Sequence, residues 1–216
     1  MRIETLARLE LPLVWTLHDM WAFTGGCHYD GGCERFVSAC GHYPILGSSR
    51  ERDLSHWVSA RNRRAWKRQN LTVVAPSRRL AGFAARSALL GRFRIGVIPN
   101  NLDLNRYRPI DRAIARSLIG VLPNRRIILF GAVRSTGDER KVFRELHAAM
   151  RQLANTGWRN SPALLVFGAT APSQPPDFGL QVQFLGVLHD DISLVALYSA
   201  ADVFVASSRQ KICRTQ

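Results

Sequence analysis

Seven short apolar runs, each bounded by residues that break regular structure, constrain the fold of this chain most strongly. They predict buried strands over residues 12–17, 71–75, 95–98, 127–130, 163–167, 182–185 and 203–206. Patterns typical of helices lie between several of these runs. Strands that alternate with helices favour an α/β fold, in which parallel sheets are flanked by helices.

The helices can be placed from their caps and apolar stripes. They are expected over residues 78–90, 139–154 and 192–200. Ser77 follows a proline and predicts the start of the first helix. Asp190 or Asp191 is expected to cap the last one.

A segment without periodicity divides the pattern. Residues 99–109 are rich in turn-forming residues, and we interpret them as a linker between two domains, residues 1–98 and 110–216. Three strands precede the linker and four follow it. Each half is expected to contain an incomplete sheet, because an open parallel sheet usually has more strands.

The charge of the chain is unusual. It has 30 Lys and Arg residues against 16 Asp and Glu residues, a formal net charge of +14. Such an excess favours polyanions, namely nucleic acid, phosphate-bearing substrates or anionic lipid, although arginines scattered over solvated faces explain it equally well. No apolar run is long enough to span a membrane, and the first ten residues have no apolar signal core. We therefore expect a cytoplasmic protein.

His18 and Asp19 stand at the end of the first predicted strand. Polar residues at the carboxyl end of a parallel strand face the crevice where ligands bind. A histidine there can exchange a proton near neutral pH, and a neighbouring carboxylate can orient it or contact a substrate hydroxyl. The alternative is a helix-capping aspartate beside a hydrogen-bonded histidine.

Three cysteines, Cys27, Cys33 and Cys40, lie close together with His28 and His42. Zinc takes four nitrogen or sulfur ligands in structural sites, so a zinc-stabilised interaction protein is one alternative. The spacings are irregular, and a loop with reduced thiols is the other. Disulfides are not expected in the cytoplasm.

Gly131 follows the fourth predicted strand and opens a loop that leads into a helix. Backbone amides at a helix N-terminus attract phosphate, and Arg140 and Lys141 add two cations. The Gly-Lys-Ser/Thr ending of a Walker loop is missing, and a solvated basic first turn is the alternative.

Residues 55–68 form a basic helical pattern with Trp57 and Trp66 as aromatic anchors. Such a helix can lie on an anionic membrane, or it can cover a sheet with its arginines in water. The second interpretation is preferred because the apolar face is weak. A basic binding module for nucleic acid or anionic membrane remains an alternative function.

Five stretches, in order along the chain, form a more specific pattern. They are residues 15–29 (WTLHDMWAFTGGCHY), 75–77, 97–103, 172–179 and 185–191. This pattern resembles the family-4 type of retaining, nucleotide-sugar-dependent glycosyltransferases, which have two Rossmann-like domains (the GT-B fold). The resemblance implies two partial Rossmann-like domains that transfer a sugar from a nucleotide sugar to a polysaccharide or lipid-linked acceptor. It also implies contact with the inner face of the cytoplasmic membrane, and no nucleic acid partner.

The resemblance also implies residue roles. His18 would contact the transferred sugar with Asp19 beside it, and Arg140 and Lys141 would hold the donor diphosphate. The remaining donor-side residues are Gly131, Gly186 and Leu188, of which the last two lie in the segment expected near the nucleotide base. The donor is a substrate, and neither a cofactor nor a metal ion is implied at the reaction centre.

The chain departs from the family pattern at both ends. The glycine-rich opening of the family and its glutamate-bearing loop after the last strand have no counterpart here. The cysteine loop reads Cys40-Gly41-His42, without the family's last cysteine. From these departures we expect a truncated glycosyltransferase that is weak or inactive as this chain.

Overall fold

The structure is a computed structural model that describes residues 3–6, 8, 11–67, 69–131, 143–158, 162–168, 170–171 and 173–206. The chain forms two compact units, of which the first ends at Asn101 and the second begins at Leu102. Each unit has one parallel sheet, so the prediction of an α/β fold with two parallel sheets is confirmed. The unit boundary falls inside the segment that we interpreted as a linker.

The first unit has a three-stranded parallel sheet in the order β1-β2-β3. Its elements are α1 (Ile3–Leu6), β1 (Leu13–Thr16), α2 (Leu54–Trp66), β2 (Leu71–Ala75), α3 (Arg78–Arg86) and β3 (Arg94–Val97). A long loop between β1 and α2 contains three 3-10 turns, at Trp21–Phe23, Arg35–Val37 and Pro44–Leu46. The central strand, β2, alternates buried and half-buried residues, because successive side chains point to opposite faces of the sheet.

Side-chain caps fix the helix starts in this unit. Ser77 accepts a hydrogen bond from the Leu80 N–H at 3.2 Å, which confirms the predicted start of α3. The predicted end at residue 90 is wrong, because α3 stops at Arg86. Ser87 is extended, and its hydroxyl accepts from the Leu89 and Leu90 N–H groups, so it closes the helix instead of continuing it.

Trp66 belongs to the core of the first unit. It is 1% exposed, and its indole N–H donates to the Ala22 carbonyl at 3.2 Å. Its ring packs edge-on against Trp15, with centroids 5.4 Å apart. The alternative in which Trp66 anchors the helix on a membrane surface is therefore wrong, whereas Trp57 lies in solvent.

The second unit has a four-stranded parallel sheet in the order β6-β5-β4-β7. Its elements are α4 (Arg112–Leu118), β4 (Arg126–Gly131), α5 (Phe143–Leu153), β5 (Pro162–Phe167), β6 (Gln181–Phe184), α6 (Asp191–Ala200) and β7 (Val203–Val205). Asp190 caps α6 by accepting from the Ser193 N–H at 2.7 Å. Residues 139–142 of the helix predicted over residues 139–154 lie outside the described residues.

Helices cover both faces of this sheet. Ala115 of α4 and Leu197 of α6 share a buried cluster with Leu129 of β4. On the other face, Leu146 and Met150 of α5 pack with Val166. This burial on both faces explains why β4 and β5 are nearly continuous apolar runs.

All seven predicted strands are present, and each bound agrees with the prediction to within one residue. Among the described residues, no helix is both long and apolar enough to cross a membrane.

Candidate functional site

His18 lies just beyond β1, at the carboxyl edge of the sheet in the first unit. Its side chain is exposed, and it makes no hydrogen bond or ion pair with the described part of the chain. The imidazole is therefore available to a ligand, as the strand-end position predicts.

The Asp19 carboxylate contacts His28 and not its neighbour His18. Its Oδ2 lies 2.6 Å from the Nδ1 of His28, and its Oδ1 accepts from the Trp21 N–H at 2.8 Å. The Met20 N–H also donates to the His28 carbonyl at 3.0 Å, which closes the loop. The hypothesis that Asp19 orients its neighbour His18 gains no support, because both carboxylate oxygens are engaged elsewhere.

His28 therefore joins the candidate site, although its sequence position suggested only a metal ligand. A carboxylate on Nδ1 fixes the ring orientation and leaves Nε2 for another partner. The His28 side chain is 66% exposed, so this pair adds little stability and stays reachable by a substrate. A histidine so held can donate to, or accept from, a substrate hydroxyl or phosphate.

Of the three thiols in the loop, those of Cys27 and Cys40 are buried and that of Cys33 is half-buried. Cys40 is buried, and its Sγ accepts from the Gly25 N–H at 3.1 Å. Burial raises the pKa of the Cys27 thiol to about 11, and burial also raises the pKa of Cys40. Over the described residues, no group of three or more His, Cys, Asp or Glu side chains is arranged to hold a metal ion. The zinc alternative therefore has no ligand cluster in this loop.

Thiol alkylation tests this description of the loop. At pH 8 we expect Cys27 to react with iodoacetamide at least about a hundredfold more slowly than a free cysteine peptide, because only the thiolate is nucleophilic. The half-buried Cys33 is expected to react first of the three. Peptide mapping by mass spectrometry follows each site, and the urea-unfolded chain serves as the control. Equal labelling of Cys27 and Cys33 in the folded chain would contradict the burial of Cys27.

The strand order of the second unit identifies its ligand-binding edge. In chain order the strands are arranged 3-2-1-4, and the direction of winding reverses between β4 and β7. Ligands in such sheets bind beyond the carboxyl ends of the strands, at this point of reversal. Gly131 is the last residue of β4 and therefore lies at this point.

Gly131 is also required by packing. A Cβ atom there would lie 2.4 Å from the ring of Phe167 and 2.6 Å from its carbonyl oxygen. Arg140 and Lys141 lie outside the described residues. Their assignment to the donor diphosphate, like that of Gly131, stays a prediction.

Gly186 and Leu188 follow β6 at the same edge. Gly186 has a φ of +70°, and its carbonyl accepts from the Gly168 N–H at 2.7 Å, which joins the loops after β5 and β6. Leu188 forms one wall of a cleft of about 300 Å³. The other walls include Leu118, Ile119, Leu185, Ile192 and Leu197. This apolar cleft lies next to the segment that the resemblance placed near the nucleotide base.

Two hydrogen bonds join the segment of residues 102–110 to α6. The Tyr107 hydroxyl donates to Asp191 at 2.5 Å, and the Ile110 N–H donates to the Ser199 hydroxyl at 3.1 Å. A cleft of about 460 Å³ lies between this segment and α6, and Tyr198 is one of its walls. This cleft was not predicted from the sequence, because residues 99–109 were interpreted as a linker.

The parallel sheet and its 3-2-1-4 order are those of nucleotide-binding α/β domains. Comparison with known proteins shows which kind of nucleotide-binding α/β fold this is. The chain shares its fold with sucrose-phosphate synthase from Thermosynechococcus elongatus, with a TM-score of 0.64 and 19% identity over 98% of this chain and 48% of that one. It also matches WaaG, a glycosyltransferase involved in lipopolysaccharide biosynthesis, with a TM-score of 0.54 and 19% identity over 81% of this chain and 50% of that one. The fold is therefore that of GT-B glycosyltransferases.

A sequence relative points the same way. WcaC of Escherichia coli (strain K12), which carries the name of a colanic acid biosynthesis glycosyl transferase, is 31% identical over 100 residues. This match covers 44% of the present chain and 24% of WcaC. No protein-family model matches the chain. The chain spans about half the length of the two solved structures, and the match to WcaC spans about a quarter of that relative.

Proposed function

We propose that this chain is part of a glycosyltransferase that moves a sugar from a nucleotide sugar to a polysaccharide or lipid-linked acceptor. The observation that carries the proposal is the similarity to WcaC, at 31% identity over 100 residues, in a chain with the fold of WaaG. We further propose that it acts in the cytoplasm, at the inner face of the membrane.

In this proposal the second unit binds the donor. Negative charge develops on the leaving diphosphate, and fixed cations and backbone amides lower the energy of that state. Arg140 and Lys141 supply the cations, beyond the carboxyl end of β4. The backbone near Gly186 and Leu188 lies close to the base, with the 300 Å³ cleft beside it.

The first unit would then bind the sugar and the acceptor. His18 is exposed at the carboxyl edge and contacts the transferred sugar. His28, held by Asp19, offers a second imidazole to a hydroxyl group. We propose that this reaction uses no cofactor and no metal ion, because arginine and lysine meet the diphosphate charge.

Nucleotide binding tests the proposal without requiring turnover. We expect isothermal titration calorimetry to show binding of at least one of UDP, GDP, ADP and dTDP. The double variant Arg140→Ala/Lys141→Ala should lose about tenfold or more in affinity, since charge-assisted hydrogen bonds to phosphate are strong. The matched control is Arg126→Ala, at the opposite end of β4, which should bind as the unmodified chain does.

Two results would count against the proposal. One is the absence of binding by all four nucleotides to a chain that unfolds cooperatively. The other is a double variant that binds as tightly as the control, which would place the diphosphate elsewhere.

A further inference from the structure

Large apolar side chains of α4 and α6 lie in solvent. Ile114 and Leu118 on α4 are 59% and 64% exposed, and they stand four residues apart, so they share one face of the helix. Ile192 in the first turn of α6 is 77% exposed. Leu118 and Ile192 both line the cleft of about 300 Å³. These three residues and the cleft form one surface, the α4–α6 patch, whereas isolated exposed apolar residues need no explanation.

The cleft gives the α4–α6 patch a concave part beside its exposed side chains. Seven of the eight residues that line the cleft are apolar, and the eighth is Ser193. The cleft has the volume of roughly ten water molecules, at about 30 Å³ each. Water finds few hydrogen-bond partners against such walls, so apolar groups that replace it lower the free energy. The α4–α6 patch is therefore suited to receive apolar side chains.

The charged residues around the α4–α6 patch mostly neutralise one another. Segments 102–122 and 185–202, which contain α4 and α6, have five acidic and four basic residues, a formal net charge of −1. Asp191 and Asp202 together pair with three of the four arginines, and the fourth, Arg108, lines the other cleft. The remaining three aspartates accept hydrogen bonds from backbone N–H groups.

This charge balance decides which kind of partner fits the α4–α6 patch. A polyanion needs several free cations, and these two segments, which the structure describes throughout, leave only Arg108. A second copy of the chain presents the same neutral and apolar surface. Elsewhere the chain carries its whole excess of positive charge, so two copies repel one another. The α4–α6 patch is thus a place where two copies can meet without that repulsion.

We propose that two copies of this chain associate through the α4–α6 patch, about a two-fold axis. In such an isologous interface each copy presents the same surface, so the cleft of each copy receives an exposed apolar side chain of the other. The two helices are about 10 and 15 Å long and pack about 8 to 10 Å apart, so the shared surface covers a few hundred Å² per copy. Interfaces of this size are at the low end for specific association, and we expect a dissociation constant on the order of 10 μM.

Sedimentation velocity of the full chain, with dithiothreitol present, tests the inference. We expect a shift from monomer to dimer over about 1 to 100 μM protein, a range that brackets the expected dissociation constant. Association should be at least as strong in about 0.5 M NaCl as in about 0.1 M, because salt screens the repulsion between two basic chains. This salt response distinguishes apolar association from a contact between opposite charges.

Negative charge placed on the α4–α6 patch should prevent association. Leu118→Glu/Ile192→Glu should raise the dissociation constant by about a hundredfold or more, because unpaired carboxylates would be buried in the interface. Ile114→Glu should raise it by about tenfold for the same reason. The matched control is Ile45→Glu/Leu46→Glu in the first unit, which adds the same charge at side chains that are 70% and 59% exposed. This control should associate as the unmodified chain does.

Three results would overturn the inference. One is a chain that stays monomeric at the highest of these concentrations. Another is association that the variants on the α4–α6 patch leave unchanged, which would place the contact elsewhere. The third is association that weakens as salt is added. Circular dichroism checks the folding of every variant, and Ile114→Glu alone decides if Leu118→Glu/Ile192→Glu unfolds.

The inference does not depend on the proposed transfer of a sugar. Nucleotide titration of the same variants separates the two, because association can be lost while nucleotide binding persists. A chain that binds no nucleotide but still forms the dimer would overturn the proposed function and leave this inference standing.

Discussion

Replacing Arg116 with alanine is expected to lower the free energy of unfolding of the second unit by about 3 to 5 kcal/mol, because it breaks a buried ion pair. Arg116 is 6% exposed, and it lies 2.8 Å from Asp202. The same carboxylate accepts from the Ile127 N–H at 2.8 Å, so it joins α4, β4 and the start of β7. Without Arg116, the poorly solvated Asp202 carboxylate keeps only the exposed Arg112 as a charge partner.

Arg112 provides the matched control. It lies 3.0 Å from the same carboxylate, but its side chain is 58% exposed. Arg112→Ala should therefore cost less than about 1 kcal/mol, as exposed ion pairs do. Hydrogen exchange of β4 and β7 peptides across a urea series measures both variants within the second unit. Equal effects of the two substitutions would show that burial does not decide the strength of this contact.

Replacing Gly25 with alanine is expected to destabilise the first unit by about 3 kcal/mol or more, the upper range for overpacking. The new Cβ would lie 2.3 Å from the Ser55 carbonyl oxygen, which is backbone and cannot rotate away. The loop after β1 and α2 would have to separate, and the Gly25 N–H bond to Cys40 would be lost.

Gly82→Ala is the control for this substitution. Gly82 lies within α3, and a Cβ there would meet nothing within 4 Å. Alanine should stabilise α3 by about 0.5 to 1 kcal/mol, through its higher helix propensity. Urea unfolding followed by tryptophan fluorescence reports on this unit, because four of the five tryptophans are in it. If Gly25→Ala unfolded at the same urea concentration as Gly82→Ala, the close approach of the loop to α2 would be wrong.

The strands could be predicted from the sequence because their signal is local. A run such as Leu71–Ala75 is apolar, β-branched and bounded by breakers, and those properties do not depend on distant residues. The cap Ser77, and Asp190 as one of two candidates for the cap of α6, were predicted for the same reason. The strand order of the second unit was not predicted, since parallel strands can be arranged in several orders with the same pattern.

The errors come from contacts that the apolar and polar pattern of the sequence does not specify. The tryptophan at the end of α2 looks the same in sequence whether it faces solvent or the core, and Trp66 is buried by the Ala22 carbonyl and Trp15. Asp19 meets His28 in a loop that the Met20 N–H closes by donating to the His28 carbonyl, and no residue pattern predicts that closure. The end of α3 depends on the Ser87 hydroxyl, which competes for two backbone N–H groups.

We propose that the second unit binds a nucleotide at the carboxyl edge between β4 and β7. Hydrogen exchange by mass spectrometry, with and without the nucleoside diphosphate that calorimetry selects, tests it most directly. We predict slower exchange in peptides that run from β4 through residues 132–142, and in those that cover Gly186 and Leu188. Protection confined to the first unit, or no protected peptide with any of the four nucleotides, would contradict the claim.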